Sequence, residues 1–324
     1  MVINLKSFII FCILCFIPST LSAKTVIRVG YLPILDHLTL LVSHAQDNKN
    51  FQYVEIQPKL FKSWDRLTDA LKSEVIDAAF ILSPLAMDLF NHGLPIQTIL
   101  LGHRDGSALT MNKTLLFHSA QDLKGKNIAV PHTQSTHLVL LRKHLLDADL
   151  SFKEVNTPII PPVEMFGALL TNKIDGFIVA EPFGIMAQAQ GIGKMLILTK
   201  DILNHHIDCI LVVRQHTLTQ VSQAIQEWVS SLIRAGQWIE QDKLKQGSQE
   251  VARLVAYKYL PHSEKIIVEA LQHPQDRISF DDLNPGKEDF QQMMELAIQT
   301  EVLNNKVDLN KFVNDVFYLE SVNK

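Results

Sequence analysis

Between residues 26 and about 212 the chain alternates short apolar runs with stretches whose apolar residues recur every three or four positions, the signature of strands alternating with helices. Residues 26–30 read as a first strand, followed by a loop and a helix over about 36–45, and 54–56 as the next strand. A helix at 65–72 leads into 76–82, a continuous apolar run suited to a strand buried on both faces. Residues 84–91, stopped by Gly93, form another helix, and 96–101 another strand. After about residue 215 the period changes. Val221, Ala224, Ile225, Trp228, Val229, Leu232 and Ile233 fall at helical spacing, as do Phe290, Met293, Met294, Ala297 and Ile298. These stripes suit core-facing helix surfaces. The pattern predicts an α/β fold with parallel sheets, followed by a helical C-terminal tail.

The pattern also repeats. At a shift of 98 residues Ala70-Leu71 matches Ala168-Leu169, Ile76-Asp77 matches Ile174-Asp175, and Pro84 matches Pro182. Gly93 matches Gly191 and Ile99-Leu100 matches Ile197-Leu198 without a gap. At a shift of 100, His37-Leu38-x-Leu40-Leu41 matches His137-Leu138-x-Leu140-Leu141, each just after an apolar strand and a proline, Pro33 or Pro131. The period is too long for a solenoid. It predicts two similar α/β lobes, each with its own sheet, against the plainer alternative of convergent helix–strand patterning. In open α/β sheets ligands sit beyond the carboxyl ends of the strands, where helix N-termini aim amides outward. That rule singles out residues 32–37, with Asp36 and His37, and 131–137, with Gln134, Ser135, Thr136 and His137. It also singles out Ser83-Pro84 and Glu181-Pro182 after a later strand of each lobe. Ser83 reads as a helix cap with Pro84 at the first helical position, and Glu181-Pro182 copies that arrangement.

Composition removes several classes of function. The 324 residues are 47% hydrophobic and 20% charged, an ordinary globular balance, and 30 Lys and Arg against 34 Asp and Glu give a net charge of −4. With no basic stripe, binding to nucleic acid is not expected. Lys6, the apolar run 8–17 and the mostly small residues 18–23 read as a secretory signal cleaved after Ala23. Ten apolar residues are too few to span a bilayer, and Cys12 and Cys15 lack the small preceding residue of a lipoprotein signal. No membrane span is expected beyond the signal. Its removal leaves 324 − 23 = 301 residues with Cys209 as the one thiol, hence no internal disulfide. There is no H-E-x-x-H and no paired C-x-x-C, so neither a metal site nor a cofactor is expected. A G-x-S-x-G elbow and a Gly-rich phosphate loop with Lys are likewise missing.

Ile76-Asp77-Ala78-Ala79-Phe80, Pro161-Pro162-x-x-Met165 and Asp175-Gly176-Phe177-x-Val179-x-Glu181-Pro182-Phe183 resemble the periplasmic nitrate/sulfonate/bicarbonate-type substrate-binding proteins of ABC importers. Trp64 with Leu67 and Ala70-Leu71 is similar to that family's W-x-x-L-x-x-A-L segment, Thr136-His137 to its T-H helix start, and Gly191-x-Gly193 to its G-x-G. The likeness covers about residues 26–215. It implies a type II periplasmic binding protein with two lobes around a central cleft: a signal at 1–23, lobe 1 at 24–109 plus 213–324, and lobe 2 at 110–212. The crossings between lobes would fall near 108–111 and 209–213. It implies a monomeric periplasmic protein that captures a small solute and delivers it to an ABC permease and its ATPase, with no catalytic residues. An enzyme on the same scaffold, of pyrimidine-precursor or chorismate-derived pathway type, and a ligand-sensing partner of a membrane receptor are the alternatives.

The resemblance places Trp64 and His137 where nitrate- and bicarbonate-type members contact their oxyanion, and Glu181 at the pocket rim or wall. Each has a plainer reading: Trp64 as core packing, His137 as an ordinary surface or capping histidine, Ser83 as a cap, Glu181 as a charge complementing a helix dipole. Asp77 and Asp175 read as structural turns. Trp64, Ser83, Thr136, His137 and Glu181 are therefore the expected ligand residues, with Asp36, His37, Gln134 and Ser135 behind them. Phe183 stands where such members usually carry Trp, and Phe80-Ile81-Leu82 is apolar. An ionised Glu181 in a closed cleft would repel an anion by about 4 kcal/mol at 4 Å and an effective dielectric near 20. Together these favour a ligand with its own N–H or O–H over bare nitrate.

Overall fold

The computed structural model describes residues 24–323, so the expected signal at 1–23 lies outside the described residues. Two sheets carry the molecule. The first has five strands in the order β2-β1-β3-β10-β4: β1 (Thr25–Tyr31), β2 (Val54–Leu60), β3 (Ala78–Leu82), β4 (Ile96–Leu101) and β10 (Cys209–Arg214). The second has four in the order β7-β8-β6-β9: β6 (Ser107–Asn112), β7 (Ile128–Ala129), β8 (Gly176–Ala180) and β9 (Gly193–Leu198). A small pair, β5 (Arg104–Asp105) with β11 (Ile278–Ser279), ties the tail to the first crossing. The expected α/β class holds, but the sheets are mixed. β10 runs antiparallel to both β3 and β4, and β6 antiparallel to both β8 and β9.

That reversal shifts the crossings. Residues 108–111 lie inside β6 of the second sheet, and 209–213 inside β10 of the first. The chain passes between sheets at 102–106 and 199–208, a few residues before the expected positions, because each crossing strand pairs along its full length with the lobe it enters.

The repeat is visible in hydrogen bonds. Asp77 donates its amide to the Arg28 carbonyl at 2.8 Å while its Oδ2 accepts the Arg28 amide at 2.8 Å. Asp175 does the same with Asn127, at 2.9 Å and 2.8 Å. Both aspartates are the structural turns the sequence suggests. Strand by strand, β1-β3-β10-β4 corresponds to β7-β8-β6-β9, and parallel bridges from Asn127 to Asn156 and Val130 to Ile159 stand where β2 stands in the first sheet.

Helices cover both sheets. α1 (Leu38–Asp47), α2 (Trp64–Lys72) and α3 (Ser83–Asn91) belong to the first, and α4 (Thr136–Asp147), α5 (Pro162–Leu170) and α6 (Phe183–Ala189) to the second. The tail is helical as expected: α7 (Gln215–Gln220), α8 (Ser222–Gln246), α9 (Gln249–Val255), α10 (Glu264–Gln272), α11 (Lys287–Gln299), α12 (Leu309–Phe312) and α13 (Val316–Val322). β3 shows why 76–82 is apolar without alternation. Ala78 and Phe80 face a core shared with Trp228 and Leu232 of α8, while Ala79 and Ile81 face a core shared with Trp64 and the second lobe. Among the described residues no helix is long and apolar enough to cross a membrane.

Candidate functional site

Where the two sheets face each other, the ends of β1, β3, β4 and β8 meet the start of β10. Asp36 and His37 sit in a 3-10 turn, Leu35–His37, directly after β1, and both are fully buried. The Leu35 amide donates to the Glu181 carbonyl at 2.9 Å, tying the first loop of one lobe to the helix start of the other. His37 Nδ1 lies 3.0 Å from the Leu32 amide nitrogen and 3.1 Å from the Leu32 carbonyl, so the loop holds this ring nitrogen in either tautomer. Burial holds this imidazole neutral, pulling its pKa down to about 4. Its ring lies 6.1 Å from Trp64, edge to face, and 5.7 Å from Phe80.

Trp64 opens α2 behind Ser63, whose hydroxyl accepts the Arg66 amide as the helix cap. Ser83 does not cap α3. It occupies the first helical position behind Leu82, so its hydroxyl is free of capping, while its amide donates to the Asp208 carbonyl at 2.9 Å. In the second lobe Ser135 is the cap of α4, its hydroxyl accepting the Leu138 amide at 3.1 Å, and is thereby used locally. Gln134 is only half-buried and takes a hydrogen bond from Thr133. Thr136 and His137 follow on the buried side of α4. His137 Nε2 lies 2.9 Å from the Ser107 hydroxyl and 3.6 Å from Asp208 Oδ2, and burial lowers its pKa against the pull of Asp208 and Asp36.

Glu181 does not stand as a bare charge. Arg277, from the tail, forms an ion pair with its Oε1, and the Ile185 amide donates to its Oε2 at 3.0 Å. Burial pushes the carboxyl up, and Arg277 opposes that push. The repulsion expected between Glu181 and an anionic ligand is therefore compensated within the protein, which removes the main reason for setting bare nitrate aside.

Sequence reasoning missed four residues: His103, Asp208, Cys209 and Arg277. His103 Nε2 lies 3.2 Å from Asp36 Oδ2, and the Cys209 thiol is 3.7 Å from the same oxygen. Burial lowers the His103 pKa, but Asp36 and Asp208 outweigh it and raise the pKa above the ordinary histidine value. The Cys209 thiol is driven well up by burial and then by Asp36 and Asp208. His103 follows β4 just as Asp36 follows β1, so the strand-end rule applied to 96–101 would have found it. Cys209 and Asp208 open an antiparallel strand, which the parallel reading concealed.

The polar inventory of this interior is incomplete. Among the described residues, Trp64 Nε1, His37 Nε2, and the hydroxyls of Ser83 and Thr136 are buried without a hydrogen-bond partner, as are Asp36 Oδ1 and Asp208 Oδ1. Buried polar groups are normally paired, so such a concentration marks a place where a ligand supplies the partners. Trp Nε1–H is a donor only and the Ser83 and Thr136 hydroxyls can donate, so these three offer donors to an acceptor-rich molecule, while His37 Nε2 donates or accepts according to its tautomer.

A structure from Staphylococcus aureus, described as the ligand-binding component of an ABC-type import system with zinc bound, matches at TM-score 0.83 and 25% identity, covering 92% of this chain and 99% of that one. The periplasmic nitrate-binding protein NrtA from Synechocystis PCC 6803 matches at TM-score 0.83 and 17% identity, over 93% and 89%. The desulfurization enzyme DSZB shares the fold more distantly, at TM-score 0.66 and 13% identity, over 93% of this chain and 99% of that one. In sequence, the nitrate import ATP-binding protein NrtC of Synechocystis sp. is 26% identical over 255 residues. That match takes in 72% of this chain but 38% of NrtC, so the chain spans well under half of this relative. The fold is thus the periplasmic-binding-protein fold the motifs implied. The model of the NMT1-like family matches residues 22–256, most of the sequence, and the chain belongs to that family.

Proposed function

We propose that this chain is the periplasmic solute-binding component of an ABC importer, capturing a small oxyanion or sulfonate between its two lobes and presenting it, without turnover, to a permease served by an ATPase. The observation that carries this reading is the set of polar groups unpartnered among the described residues, the donors Trp64 Nε1, Ser83 Oγ and Thr136 Oγ1 with His37 Nε2, buried where the sheets face each other. Three donors suit the oxygens of nitrate, bicarbonate or a sulfonate head. The lobes are taken as the two sheets with their helices, near the division 24–109 plus 213–324 and 110–212. Closure of one lobe on the other buries the solute and forms the surface a permease reads. Relatives named for import of nitrate and for ligand binding in ABC-type systems support the same reading.

The experiment is a thermal-shift panel of nitrate, bicarbonate, methanesulfonate, taurine and pyrimidines on the monomeric protein. A true ligand at about 100 times its Kd adds about 2.7 kcal/mol of stability. Trp64→Phe keeps the ring and removes the donor, so it is expected to weaken that ligand by about 1–3 kcal/mol. A panel with no shift overturns the reading, and product formation in the same mixtures transfers the chain to the enzymes.

A further inference from the structure

The sequence gives no linear metal motif, yet three ligand-type side chains from distant positions converge. Asp36 follows β1, His103 follows β4 and Cys209 opens the antiparallel β10, so all three lie at one end of the five-stranded sheet. All three are completely buried, and one ligand atom from each lies within 4.8 Å of the others. Gly102 makes the approach possible. Its amide donates to the Cys209 carbonyl at 2.9 Å, and a Cβ there would stand 2.9 Å from that oxygen and 3.2 Å from the Asp36 carbonyl.

We propose that Asp36, His103 and Cys209 bind a divalent first-row transition-metal ion of the zinc class. A tetrahedral ion with metal–N and metal–O bonds of about 2.0 Å and a metal–S bond of about 2.3 Å needs ligand–ligand edges of about 3.3–3.6 Å. The edges from Asp36 Oδ2 are 3.2 Å to His103 Nε2 and 3.7 Å to Cys209 Sγ, close to that requirement. One nitrogen, one oxygen and one sulfur form a borderline-soft set that selects zinc-class ions over calcium or magnesium. Asp36 Oδ1, His103 Nδ1 and Asp208 Oδ1, on these ligands and their neighbour, are buried without partners among the described residues. Two buried carboxylates, Asp36 and Asp208, in one dry cluster are an electrostatic burden that a divalent cation offsets. Three protein ligands leave the fourth corner for a water or for an oxygen of the solute. Only that last clause rests on the proposed solute-binding function.

The test uses the full chain with Cys12→Ser and Cys15→Ser, so that Cys209 is its only thiol, stripped with a chelator and then given zinc or cobalt(II) alone. The expected result is about one ion per chain retained through gel filtration. The cobalt form is expected to show the visible bands of a four-coordinate site and a near-ultraviolet thiolate-to-cobalt band. Asp36→Asn and His103→Gln are expected to weaken binding by about 100-fold or more, and exposed His205→Ala to leave it unchanged. Should the ligand variants fail to fold, the parent's thiolate band still decides. Zinc that washes out of the parent, or a cobalt form without a thiolate band, overturns the proposal. Because no solute is present, this result is independent of the thermal-shift panel.

Discussion

Glu181 has left water entirely, and what compensates it is Arg277 together with the Ile185 amide. Removing one partner of such a pair leaves the other as an uncompensated buried charge. Glu181→Gln is therefore expected to lower unfolding stability by about 3–5 kcal/mol in the absence of any solute. Denaturant melts check this, and adding Arg277→Met to the same chain is expected to restore part of the loss. A melt unchanged by Glu181→Gln would mean the pair contributes nothing. The histidines outside the site carry a second prediction. Burial lowers the pKa values of His44, His144 and His262, and His262 Nε2 donates to the Pro33 carbonyl at 3.0 Å as a neutral ring. A group depressed in the fold stays neutral while the unfolded chain takes up a proton. Its contribution is full above about pH 6.5, the ordinary histidine value, and is lost as pH falls through the folded value. The melting midpoint is expected to drop between pH 7.5 and pH 5, and His262→Gln, which keeps a neutral donor, to flatten part of that slope. An unaltered slope in the variant would remove His262 from the account.

Helix α8 shows how one element depends on one small residue. Its apolar stripe of Ala224, Ile225, Trp228, Val229 and Leu232 was legible from spacing alone, because a buried helix face must repeat at helical period. Gly236 lies on the same stripe, where a Cβ would run into the Phe280 carbonyl. Alanine gains about 1 kcal/mol of helix propensity over glycine, but overpacking against fixed backbone costs about 1–3 kcal/mol. Gly236→Ala is therefore expected to lower the urea midpoint despite being the better helix former; a higher midpoint would mean that the segment around Phe280 yields. No periodicity announces that contact, since the carbonyl comes from a segment more than forty residues away. The same limit explains the site. Trp64 was legible only through the family resemblance, whereas the strand-end positions of Ser83, Thr136, His137 and Glu181 could be anticipated because each follows a strand recognisable by its own apolar run. Asp208 and Cys209 could not, because the direction of β10 is set by pairing with β3 and β4 rather than by its own residues.

For the molecule as a whole, the paired sheets were readable from the 98-residue shift, and the structure gives that shift a physical cause in the matching Asp77 and Asp175 turns. The interleaving of the chain was less accessible. β10 lies between β3 and β4, so the first sheet has a gap at its centre until residues 209–214 arrive. The second sheet draws all its strands from 107–198. The tail then closes over the first lobe: α8 packs on α1, Val313 bridges to Thr98 beside β4, and Arg104 in the crossing pairs with Asp282 and Asp289 at 2.9 and 2.7 Å. This arrangement imposes an order in time. Contacts close in sequence form first and distant pairings wait for loop closure, so the middle of the chain can assemble before its beginning. Pulse-labelled hydrogen exchange during refolding is expected to protect the amides of β6 and β8 before those of β3 and β10, and simultaneous protection would contradict that order. A chain emerging from its amino end would thus hold its first eighty residues as an unfinished sheet, shielded only when the last third is delivered.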